Sequence, residues 1–173
     1  AKIPYIVFRH LGISPLRMYQ TDEIDVAFPW IEEIEEIRES NSPLTEEFRD
    51  TAQLSLIFVG FNSAKPPFDD AAVRRSFLLA ADRERLIAEI LKEQKQIAHG
   101  FLPPGLPAHN TELTPIPFDP EEARRLLASS SYGKALPQIT FVTAGYTTIS
   151  PTTQALIDMW RENLGVKVEV KLI

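Results

Sequence analysis

Asp69 and Asp70 are adjacent carboxylates within "NSAKPPFDDAAVRRSFLLAADRERL", residues 62–86, and two close acids can divide general acid and base work between them. Their setting argues for a different use. They follow Pro66 and Pro67, which force an extended turn, and precede a helical period, so one is expected to cap that helix and the other to offset its dipole. His99 and His109 could ligate a metal, but no third ligand stands at a recognisable spacing, and both read as solvated loop residues. In "WIEEIEEIRES", residues 30–40, Ile31, Ile34 and Ile37 share one helical face with carboxylates opposite; without the spacing of a calcium loop, the acids read as a solvated surface. The remaining candidate is "TAGYTTIS", residues 143–150. Gly145 lets a ligand approach the backbone, Tyr146 offers an aromatic surface with a hydroxyl, and Thr143, Thr147, Thr148 and Ser150 offer short hydrogen-bonding groups. Ser150 equally suits a helix cap.

The elements that must position these residues alternate between strand-like and helix-like. "IPYIVF", "EIDVAF" and the nearly continuous apolar run "AQLSLIFVGFN", residues 52–62, predict strands, the last one central to a sheet and covered on both faces. Ser14 and Pro15 start a short helix reaching about Gln20. After the aspartate pair, Val73, Phe77 and Ala80 or Ala81 form a buried stripe; Asp82 then caps a second helix with Leu86, Ile87, Ile90 and Leu91 on its apolar face. Residues 99–120 hold six of the 14 prolines and read as a long, stiff, irregular connection. It ends at Asp119, Pro120 and Glu122, the pattern of a capping box, followed by Ala123, Leu126 and Leu127 as a buried face and Gly133 as a stop. The last segment predicts a strand, a polar loop, a helix from Ser150 and Pro151 to Gly165 carrying Leu156, Met159 and Trp160, and a second strand. Its two strands are expected to run parallel with a right-handed crossover. In such a unit ligands bind beyond the carboxyl ends of the strands, where residues 143–150 lie.

Composition narrows the function. The 173 residues suit one domain, the net charge of −6 leaves no basic field for nucleic acid, and the absence of cysteine excludes disulfides, thiolate nucleophiles and thiolate metal sites. No apolar run is long enough to span a membrane and no signal peptide stands at the start. A hydrolase would need a nucleophile with a positioned base, and neither Gly-x-Ser-x-Gly nor His-Glu-x-x-His occurs.

Four blocks in order, "YQTDEIDVA", "FVGFNSAKPPFDDAAVRRSFLLAADRERLI", "FDPEEARRLLASSSYG" and "ITFVTAGYTTISPTTQALIDMWRENLGVKVEVKLI", resemble the family 5 extracellular solute-binding proteins, the peptide, dipeptide and nickel receptors of bacterial ABC importers. The resemblance implies an α/β lobe of the periplasmic-binding-protein kind, a mixed sheet flanked by helices, with residues 1–173 forming part of the C-terminal lobe; the first lobe and a final return segment are missing. It implies a non-enzymatic receptor without cofactor, periplasmic or lipid-anchored at the cell surface, whose partners are a peptide or other small-molecule ligand and the membrane permease subunits. The ligand-facing loop of the family corresponds here to Thr143, Gly145, Tyr146, Thr147 and Thr148. A sensor domain of a transcription regulator with the same fold is the alternative. Where the family has glycine before Glu23-Ile24-Asp25, this chain has Asp22, which is expected to take a left-handed turn at some cost.

Overall fold

The computed structural model describes residues 3–9, 14–38, 42–51, 53–92, 95–144 and 148–173. Where the sequence suggests one domain, the chain divides into two compact units, residues 1–52 and 53–173.

In the first unit, Ser14 caps α1 (Pro15–Gln20) by accepting from the Arg17 N–H at 3.0 Å. Its own hydroxyl donates to the carboxylate of Glu33, which in turn accepts from the Trp30 N–H at 2.7 Å and so caps α2 (Ile31–Arg38). One carboxylate thus ties two helix starts together. Leu16, Met18 and Ile37 are buried, Ile34 is half-buried, and the side chain of Ile31 lies outside the described residues. Asp22 closes α1 with φ +57°, the left-handed turn expected where the family has glycine. The stretches 3–8 and 23–28 are not strands, contrary to expectation. Their branched and aromatic residues have the propensity, but a strand exists only in a hydrogen-bonded ladder, and none is paired; Phe8 and Phe28 are 86% and 84% exposed.

The second unit carries the main core. Asp70 caps α3 (Ala71–Leu79), accepting from the Ala72 N–H at 2.7 Å, and α3 buries Val73, Ser76, Phe77 and Leu79. Asp82 caps α4 (Arg83–Arg85), which continues as a π-helical turn, Leu86–Ile90, so the apolar face expected there is only half-buried. Pro120 opens α5 (Pro120–Ser129), with Ala123 fully buried against α3. Strand β1 (Ile139–Thr143), α6 (Pro151–Leu164) and β2 (Val168–Leu172) follow, and the two strands pair in parallel from Ile139↔Val168 to Thr143↔Leu172, as the sequence predicts. Gly165 stops α6 with φ +68°. Ile139, Ile157, Trp160 and Val166 complete the core with Val73, Phe77, Leu79, Ala80 and Ala123.

Three carbonyls at the carboxyl end of α3 are satisfied from distant chain rather than by a local cap. The carbonyls of Phe77, Leu79 and Ala80 accept from the Trp160 indole N–H, the Asp119 N–H and the Asn163 amide, each at 2.9 Å. Those bonds fix α5 and α6 on α3.

Two expectations fail here. Residues 53–62, read as a central strand, have no ladder; among the described residues the sheet contains β1 and β2 alone, and Ile57 and Phe58 are 77% and 67% exposed. Continuous hydrophobicity signals burial on both faces but cannot supply the neighbouring strands. The capping box is half-formed: Asp119 accepts from the Glu122 N–H at 2.9 Å, whereas the Glu122 carboxylate turns to Arg125 at 2.5 and 2.6 Å, a charged donor outcompeting a backbone N–H.

Candidate functional site

Thr143 ends β1, half-buried, with its carbonyl accepting from the Ile173 N–H at 3.1 Å. Thr148 is exposed just ahead of α6. Ser150 is committed to capping: its hydroxyl oxygen accepts from the Thr153 N–H at 3.2 Å, and its hydroxyl donates to the Thr153 hydroxyl at 3.0 Å. Gly145, Tyr146 and Thr147 lie outside the described residues. The parallel pairing of β1 and β2 therefore puts Thr143 and Thr148 at the carboxyl end of the sheet and the amino end of α6, the position that backbone physics favours for a ligand.

The other candidates have structural uses. Asp70 spends one carboxylate oxygen on Ala72 and the other on the Ser131 N–H at 2.8 Å, 61 residues away. Asp69, the other member of the pair, accepts from the Tyr132 hydroxyl at 2.9 Å. The Ser131 bond, followed by that from Ala72, holds the Asp70 carboxyl below its ordinary range, which keeps it ionised and unsuited to passing protons. Asp69 in turn raises the Tyr132 phenol. The pair is a latch between the start of α3 and the end of α5. Its partners, Ser131 and Tyr132, left no signal in the sequence, because a hydrogen bond between residues this far apart has no local pattern.

His109 donates from Nδ1 to the Leu102 carbonyl at 2.6 Å, which braces the 99–118 connection, and Arg83 anchors the same connection by donating to the Ile116 carbonyl at 2.5 Å. Burial lowers the Arg83 guanidinium from its ordinary value. Among the described residues no three His, Asp or Glu side chains converge on a point that could hold a metal, and no helix is long and apolar enough to cross a membrane.

The model of the family described as "Bacterial extracellular solute-binding proteins, family 5 Middle" matches residues 1–173. The chain belongs to the family 5 extracellular solute-binding proteins. Among curated family 5 relatives, it is 28% identical to the probable di/tripeptide-binding protein 5 of Pseudomonas aeruginosa over 145 residues, 82% of this chain and 26% of that one. It is 26% identical to the glutathione-binding protein GsiB of Escherichia coli over 171 residues, 98% of this chain and 33% of that one. The chain thus spans between a quarter and a third of these relatives. The fold matches that of the OppA protein of Burkholderia pseudomallei with a TM-score of 0.68 at 22% identity, covering 91% of this chain and 32% of that one. The family 5 assignment confirms the periplasmic-binding-protein-like α/β fold, and family 5 members are extracellular solute binders.

Proposed function

We propose that the protein containing these residues is the substrate-binding component of a bacterial ABC importer. It captures an oligopeptide or a related small solute between two lobes and delivers it to membrane permease subunits, working in the periplasm or from a lipid anchor at the cell surface, without catalysis. The observation that carries this reading is the family match over all 173 residues, with relatives named for di/tripeptide and glutathione binding. Residues 1–173 act as part of the C-terminal lobe. Thr143, Gly145, Tyr146, Thr147 and Thr148 face the ligand from the carboxyl end of β1. Closure is a hinge motion in which ligand stabilises the closed population, so contacts from this loop add to those of the opposing lobe.

Thermal unfolding of the full gene product against di-, tri- and tetrapeptides, glutathione, sugars and metal ions tests the reading. A peptide-dependent rise in midpoint that the double change Tyr146→Ala, Thr147→Ala abolishes is expected. A flat response to every peptide rejects peptide capture, and a rise that survives the double change removes this loop from the site.

A further inference from the structure

Among the described residues the sheet holds β1 and β2 alone, so β2 faces β1 on one side and no strand on the other. The Ile173 N–H bonds to the Thr143 carbonyl, and alternation along the parallel ladder turns the backbone groups of Glu169 and Lys171 toward β1 as well. Val168, Val170 and Leu172 therefore present their N–H and C=O groups at the open side, a template for a further strand. Val168 and Val170 are half-buried and pack on the core, whereas Glu169 and Lys171 are exposed on the opposite face. The neighbours of these two charges on β1 are Thr140 and Val142, which cannot pair with them, and among the described residues neither has an ion-pair partner.

We propose that this edge pairs with the same edge of a second copy of the chain, antiparallel about Val170, so that two β1–β2 sheets join across a two-fold axis. The strand Val168-Glu169-Val170-Lys171-Leu172 is complementary to itself under that inversion. Val170 meets Val170 and Val168 meets Leu172, each pair exchanging two N–H···O bonds, because these are the residues whose backbone points outward. Glu169 then stands opposite Lys171 of the second copy and Lys171 opposite Glu169, at the positions between hydrogen-bonded pairs where side chains approach most closely. Neighbouring registers are worse. Centring the pair on Glu169 or on Lys171 sets like charges face to face, and centring it on Val168 or Leu172 leaves part of each strand without a strand opposite. Charges commonly blunt an exposed edge against any partner; here opposite signs flank the centre, which selects a copy of the same strand. The contact lies on the side of β2 away from β1 and does not rest on the function proposed for residues 143–150.

Sedimentation equilibrium of the full gene product from micromolar to millimolar concentration tests this. A reversible monomer–dimer equilibrium that weakens as salt rises is expected, since the ion pairs are exposed. Glu169→Lys and Lys171→Glu, both at exposed positions, each turn two attractive pairs into two repulsive ones and are expected to weaken the dimer roughly tenfold or more. An equimolar mixture of the two variants is expected to restore it, because every charge on one chain then meets its opposite on the other. The double variant Glu169→Lys, Lys171→Glu is expected to dimerise like the parent for the same reason. A monomer at every concentration overturns the proposal. So does association indifferent to both single changes, the result that contact through residues 53–61 alone would give, and so does a mixture no tighter than its components.

Discussion

The indole N–H of Trp160 donates to the backbone carbonyl of Phe77 at 2.9 Å across 83 residues of sequence, and the two rings lie 5.1 Å apart. Phe77 also meets Phe68 at 5.2 Å and Phe61 at 6.1 Å, while Trp160 meets Phe141 on β1 at 6.2 Å. This aromatic chain joins the turn before α3 to the strand that leads into the candidate loop. Packing, not chemistry, is what these residues contribute to the site.

Trp160→Phe keeps most of the ring and leaves the Phe77 carbonyl buried without that donor, so it is expected to cost about 1–3 kcal/mol. Trp160→Ala also opens a cavity and is expected to cost about 3–5 kcal/mol. Urea unfolding monitored by far-UV circular dichroism measures both; equal losses for the two variants would show that the hydrogen bond contributes nothing.

The Asp69–Asp70 latch makes stability depend on pH at both ends of the scale. The Asp70 pKa is depressed in the folded state, so its contribution is present above the ordinary value of 3.8 and disappears as pH falls through the folded value. The Tyr132 pKa is raised, so its contribution is present below 10.0 and disappears as pH rises through the folded value. Thermal midpoints recorded from pH 3 to 11 should lose part of their acid slope in Asp70→Asn and part of their alkaline slope in Tyr132→Phe. Unchanged profiles would remove the latch from the folded state's titration.

Gly165 ends α6, whereas Gly133, expected to stop α5, lies in the turn three residues beyond the Ser130 that closes that helix. A Cβ on Gly133 would sit 2.2 Å from the Ala128 carbonyl oxygen, whereas one on Gly165 meets nothing within 4 Å and suffers only from φ +68°. Gly133→Ala is therefore expected to cost on the order of 3 kcal/mol and Gly165→Ala about 1–2 kcal/mol. Denaturant midpoints that reverse this order would contradict the backbone geometry around Gly133.

Asp119 and Glu122 separate the working half of the capping box from the idle half. Asp119→Ala is expected to destabilise by about 1 kcal/mol through the lost α5 cap, and Glu122→Ala to leave the unfolding midpoint unchanged. A comparable loss from both would restore the reciprocal cap.

Residues 53–61 present apolar side chains on backbone outside any ladder, with the Phe58 and Phe101 rings 5.9 Å apart and tilted by 60°. Concentration-dependent association of the 173-residue chain is expected, reduced by Ile57→Lys with Phe58→Lys. Light scattering that reports the same monomer mass at every concentration would refute it.

Local order was legible in the residues. Ser14, Asp70, Asp82, Asp119 and Ser150 each cap the helix that follows, Gly165 stops α6, and β1, α6 and β2 form the expected parallel unit, because caps, periods and turns act over three or four residues and leave their mark at that spacing. What propensity alone could not settle was pairing. Residues 3–8, 23–28 and 53–62 have strand composition but no ladder, since a strand's hydrogen bonds belong to its neighbours. Only the tertiary structure brought Ser131 and Tyr132 to the aspartate pair and carried Trp160, Asp119 and Asn163 to the carbonyls at the end of α3. Those relations depend on where distant segments pack, and packing is decided by the whole chain at once.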